Sequence, residues 1–110
     1  MKALSDKQVR TFIDEFYTES LEDIVGLFSI AKEVGEMIED EDTAREESLR
    51  VVDGLLKRGM QAGDSPYHPS GYQPWKDQDH HSILNRIRSE WLALGRKPNI
   101  PDIAWFGPPR

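Results

Sequence analysis

Fifteen residues from Glu33 to Glu47, EVGEMIEDEDTAREE, hold eight acids (Glu33, Glu36, Glu39, Asp40, Glu41, Asp42, Glu46, Glu47) against one base, Arg45. Charges of one sign at this density repel one another, and an apolar core cannot hold them without a prohibitive loss of hydration. The stretch must face water or a basic partner, and the rest of the fold has to accommodate an outward-facing segment at this point. Val34, Met37 and Ile38 stand at i, i+3, i+4, so the first part of the stretch reads as a helix with a buried edge. The centre, Glu39 to Asp42, is where that helix ends and the next begins.

Helical periodicity runs through most of the chain. Ser5 or Asp6 can cap a first helix near 5–17, with Val9, Phe12, Ile13, Phe16 and Tyr17 on one face. Ser20-Leu21-Glu22-Asp23 resembles a capping box and starts a second helix near 20–38. The apolar residues of that helix spread beyond one stripe, as in a central helix covered on two sides, and Gly26 and Gly35 point to close helix contact. Asp40 or Asp42 can cap a third helix near 42–62, with Leu49, Val52, Leu55, Leu56 and Met60 inward and Gly63 as its left-handed stop. Asp77 or Asp79 can cap a fourth near 78–94, with Ile83, Leu84, Ile87, Trp91, Leu92 and Leu94 inward and Gly95 at its end. Between the last two helices lies DSPYHPSGYQPWK, with three prolines and three aromatics, a loop that Tyr67, Tyr72 and Trp75 can pin to the body. Pro98 and Pro101 forbid further helix, so Ile100 to Phe106 is an extended tail that docks on the helices or pairs with the segment near Met60 to Gly63. The expected fold is an all-α single domain, 1–110, of four helices with an ordered aromatic loop and an extended C-terminal tail. Phe12, Phe16, Ile24, Phe28, Val52, Leu56, Ile87 and Trp91 are its expected core.

Charge and residue content narrow the function. With no cysteine there is no disulfide and no thiolate ligand, which fits a reducing compartment. No apolar run reaches the roughly 20 residues of a membrane span, and the polar opening MKALSDKQVR does not read as a signal peptide, so the expected location is the cytoplasm. The net charge of -6 is concentrated in residues 1–62, which carry 15 acids against 8 bases. That half repels nucleic acid, and the modest basic set Arg86, Arg88, Arg96 and Lys97 does not reverse it.

Catalytic and metal-binding patterns are weak. His68, His80 and His81 with Asp77 and Asp79 lack the spacing of a metal site, since adjacent histidines on a helix diverge by about 100°. No nucleophile elbow or phosphate-cradling glycine loop is present, and no carboxylate is set apart by apolar surroundings. The chain therefore reads as a non-enzyme without a cofactor. Its three tryptophans, Trp75, Trp91 and Trp105, are core fillers first, with the Trp105–Phe106 tail a second candidate contact surface.

The second half carries Gly63-Asp64, Gly71-Tyr72-Gln73-Pro74-Trp75, Trp91-Leu92-Ala93-Leu94-Gly95-Arg96, Pro98 and Pro101-Asp102-Ile103-Ala104-Trp105-Phe106. It resembles a pattern that recurs among small bacterial proteins. With its size and acidity, the whole chain resembles immunity proteins of bacterial toxin–immunity systems, including those of contact-dependent growth inhibition. The resemblance implies a small, cytoplasmic, non-enzymatic protein that blocks one cognate toxin, most often a nuclease, with no direct contact to nucleic acid or membrane. A nuclease carries a basic cleft, so the matching surface here is the acidic stretch: Glu36, Glu39, Asp40, Glu41, Asp42, Glu46 and Glu47. The rival reading is an acidic adaptor that binds a cellular protein through the same surface.

Overall fold

Residues 3–109 are described by the computed structural model. In chain order they form α1 (Asp6–Ser20), β1 (Val25–Gly26), α2 (Leu27–Met37), α3 (Glu41–Lys57), β2 (Gln61–Gly63), α4 (His80–Leu94) and β3 (Trp105–Gly107). The fold is thus four helices with a small antiparallel sheet, α+β rather than all-α. The strands lie in the order β1-β3-β2, with the tail strand β3 in the middle. Val25 is opposite Phe106 and Gly26 opposite Trp105 on one side; Ala62 is opposite Phe106 and Gly63 opposite Trp105 on the other. Strands of two or three residues are too short to display alternation, and the two outer ones sit inside segments whose composition is helical.

Helix ends follow local chemistry. Ser5 and Gln8 form a reciprocal capping box at α1, Asp40 accepts from the Thr43 amide at α3, and Asp79 accepts from the Ser82 amide at α4. The expected boundary at Ser20 is corrected. α1 continues through that residue, whose hydroxyl donates to the Tyr17 carbonyl instead of capping a new helix. The chain then turns through 21–24 and forms β1, so α2 is shorter than the expected 20–38. α3 also stops early. Gly59 takes a φ of 94°, its amide donates to Leu56 and that of Met60 to Leu55, with Leu55 and Met60 both buried. This is a Schellman cap, and it places the stop at Gly59, not Gly63.

The core lies between α1, α2, α3 and α4, closed at one end by the sheet. Phe16, Val52, Leu56, Ile87 and Trp91 are buried as expected, whereas Phe12, Ile24 and Phe28 are only half-buried. The largest fully buried residues include Phe106, Leu27, Ile30 and Leu55. Gly54 of α3 makes room for α1: a Cβ there would lie 2.1 Å from Ile13 Cδ1. Gly26, expected at such a contact, instead sits in β1 under the Phe28 ring, 2.6 Å from where its Cβ would be.

The aromatic loop is fixed to the sheet. The Trp75 amide donates to the Ala62 carbonyl, Gly63 bridges Pro74, and the Gln78 side chain pairs with both the amide and the carbonyl of Ala62. The Trp75 indole donates to Asp64 at 3.0 Å and its ring carries the Arg86 guanidinium 3.6 Å from the centroid. The segment before β3 is held as firmly. Ile103 is the one non-glycine residue with positive φ among the described residues, at 63°, and the Ala104 amide donates back to the Asp102 carbonyl in a γ-turn around it. A β-branched residue in that region costs about 1–3 kcal/mol, which the surrounding pairing of β3 has to outweigh.

Candidate partner-binding surface

The acidic stretch spans the end of α2, the α2–α3 turn and the first two turns of α3, and it divides into two parts. Glu36, Glu39, Asp40, Glu41 and Asp42 are exposed. Asp40 is also the α3 cap, with Thr43 Oγ1 2.6 Å and the Thr43 amide 2.8 Å from its carboxylate; these hydrogen bonds hold its pKa below the usual aspartate value. Asp42 takes one hydrogen bond from Arg45 at 2.8 Å and otherwise faces water.

Glu46 and Glu47 are turned to structural use. Glu46 accepts a forked pair from Arg88 of α4, with Nη2 at 2.8 Å, and a bond from Arg45 Nε at 3.0 Å. The Arg88 hydrogen bonds are the main reason that its pKa is lowered. Glu47 is 8% exposed and accepts from the Leu4 amide at 2.7 Å and from Arg50 at 2.9 Å. Arg50 in turn donates to the Leu4 carbonyl and pairs with Asp6. Together these contacts strap the first residues of α1 to α3. Neither carboxylate stands free in the solvent-facing field.

Tertiary packing adds acids that the linear run does not contain. Glu33 of α2 has a raised pKa, first from burial, then from the nearby carboxylates of Glu15, Glu19 and Glu36, with Lys32 opposing. Glu15 and Glu19, four residues apart on α1, are exposed and near enough to Glu33 to raise its pKa. The negative surface therefore extends from α1 across α2 to the start of α3. The i, i+4 spacing of Glu15 and Glu19 was visible in the sequence, but their approach to Glu33 depends on how α1 lies against α2.

Most of the other candidate groups are occupied. Trp75, Trp91 and Trp105 are all buried, and so is Phe106, so the tail offers no aromatic contact surface of its own. The Trp105 indole donates to the Ile100 carbonyl at 3.0 Å, and only Tyr67, at 69% exposure, leaves a large aromatic face in solvent beside it. Of the basic residues weighed for nucleic acid, Arg86 pairs with Glu90, Arg88 with Glu46 and Arg96 with Asp102. Asp79 and Asp77 serve the start of α4, and His81 contacts Asn85. Among the described residues no three His, Cys, Asp or Glu side chains converge as metal ligands, and no helix is long and apolar enough to cross a membrane. No known protein family, curated protein or solved structure matches the chain.

Proposed function

We propose that this protein is a non-catalytic inhibitor of the immunity type, which binds a basic toxin domain, a nuclease foremost, and covers its substrate-binding surface. The observation that carries the reading is the exposure of five carboxylates, Glu36, Glu39, Asp40, Glu41 and Asp42, within seven residues at the α2–α3 junction. Exposed carboxylates grouped in this way present a negative field that a basic partner can match. Complementary fields also accelerate encounter and disfavour wrong partners. Glu46 and Glu47, spent on Arg88 and the α1 strap, would hold the surface in shape without touching the partner.

The test is the triple reversal E39K/E41K/D42K, measured against a candidate basic toxin domain taken from the neighbouring gene. Association should slow by about tenfold or more, and the wild-type rate should fall steeply with salt, since exposed charges are screened beyond roughly 8 Å at physiological ionic strength. The helical circular dichroism should be unchanged, because all three side chains are exposed. Undiminished binding and protection by the triple variant would remove the acidic surface from the interface. Failure of the chain to protect against that toxin, with tight binding to some other cellular protein through the same surface, would favour the adaptor reading.

A further inference from the structure

A second surface feature is chemically opposite to the acidic junction. A cleft of about 520 Å³ lies between α2 and the loop that follows α4. Its walls are Phe28, Pro98, Ile100 and Pro101, and its polar groups are Lys32, Lys97 and, on the rim, Glu36. Both lysines are exposed, and neither forms an ion pair among the described residues. The Lys97 side chain lies over Gly35, its ammonium 3.0 Å from where a Cβ on that glycine would stand. On a chain of net charge -6, two ammonium groups without an ion pair line an apolar cleft, Lys32 being near enough to Glu33 to oppose the rise of its pKa.

The cleft is also built to persist. Asp102 accepts from the Asn99 amide and from Arg96, both at 2.8 Å, which closes the loop on itself. The Ile100 carbonyl is tied to the Trp105 indole, and the Trp105 ring packs on Phe28 with centroids 5.6 Å apart. The γ-turn at Ile103 joins this loop to β3. Ile100 is nonetheless 49% exposed, a large apolar side chain held in water by a rigid loop. Pre-formed walls spare a ligand the cost of ordering the site, and the volume falls within the roughly 300–1,000 Å³ of small-molecule sites.

We propose that this cleft binds a small amphipathic carboxylate. Its apolar body lies against Phe28, Pro98, Ile100 and Pro101, and its anionic head is held by Lys32 and Lys97. The site is distinct from the acidic junction in its walls, which come from α2 and the post-α4 loop, and in the sign of its two ammonium groups, but it shares Glu36 with that surface. Glu36 is the one carboxylate of the cleft, and it opposes the ligand.

The experiment is a nitrogen-15 NMR titration of the full chain with 4-phenylbutyrate, with 4-phenylbutan-1-ol as the neutral match. Expected are saturable amide shifts confined to residues 28–36 and 97–103, with the alcohol about tenfold weaker because it lacks the charge-assisted bonds. K32Q/K97Q should reduce the carboxylate to the affinity of the alcohol, and E36Q should tighten it. Equal binding of acid and alcohol would overturn the proposal, as would shifts spread over the rest of the chain or a linear, unsaturable response. A capped peptide bearing a phenylalanine and an aspartate that shifts the same amides where phenylbutyrate does not would assign the cleft to a partner chain and overturn it as well. None of these outcomes depends on toxin binding, and E39K/E41K/D42K should leave the titration unchanged.

Discussion

Glu39–Asp42 and Glu46–Glu47 belong to one run of sequence and share one chemistry, yet the molecule uses them in opposite ways. The first set stands in water at the α2–α3 junction; in the second, Glu46 is ion-paired to Arg88 of α4, and Glu47 holds Arg50 of its own helix and the Leu4 amide just before α1. What separates them is the supply of partners. Within α3, Glu46 faces Arg88 of α4, and Glu47 faces the Leu4 amide, with Arg50 one turn further along the same helix. Density of acids along the sequence measures repulsion, while role is decided by which cations the fold brings within reach.

Mutations can calibrate that division. The upper end of the scale is the core: Trp91→Ala should cost about 3–5 kcal/mol, a large part of a typical total of about 5–15 kcal/mol, as read from urea unfolding. A loss below about 1 kcal/mol would show that α4 is not anchored by this residue. Next comes Glu47→Ala, which strips acceptors from the Leu4 amide and from Arg50. It should cost about 1–3 kcal/mol and raise hydrogen exchange in the first turn of α1. An effect no larger than that of an exposed acid would erase the distinction between the two parts of the run.

Glu33→Gln should act in the opposite direction, raising stability at neutral pH by up to about 1 kcal/mol. Because the folded pKa of Glu33 is raised, its ionisation opposes folding above that pKa. The gain from Glu33→Gln should therefore shrink as pH falls through the raised value and vanish below the ordinary glutamate value. Glu46, whose folded pKa is lowered, has the other sign: its contribution is present above the ordinary glutamate value and is lost as pH falls through the lowered one. Thermal melts of Glu33→Gln and Glu46→Gln across pH 3 to 7 should diverge accordingly. The smallest effect belongs to Glu39→Gln and Glu41→Gln, within about 0.5 kcal/mol either way. A large stability change in these two would mean that the exposed acids are structural after all.

Much of this was legible from residues close in sequence. The helical apolar periodicity and the Gly95 stop each depend on groups within about one helical turn, and the sequence narrowed the caps to Asp40 or Asp42 and Asp77 or Asp79, of which the structure uses Asp40 and Asp79. Docking of the tail could be anticipated, because Ile103, Trp105 and Phe106 carry too much apolar surface for a free end, but the sequence left open whether it would lie on the helices or pair near Met60 to Gly63. The Gly59 stop was harder to see, since Gly63 offers the same conformational freedom and only the Leu55–Met60 contact decides between them.

What the sequence by itself determined is therefore the helical content, the acidic outer face and the burial of most of the large apolar residues, all set by periodicity and hydration over a few residues. The sheet, the strap at Glu47 and the fork at Glu46 were decided by tertiary structure alone. β1 meets β3 across nearly the whole chain, Leu4 meets Glu47 at a separation of 43 residues and Arg88 meets Glu46 at 42. Contacts at that range leave no periodic trace in sequence, because each is favourable only once several helices have packed and the entropy of closing the intervening chain has already been offset by the burial of the core.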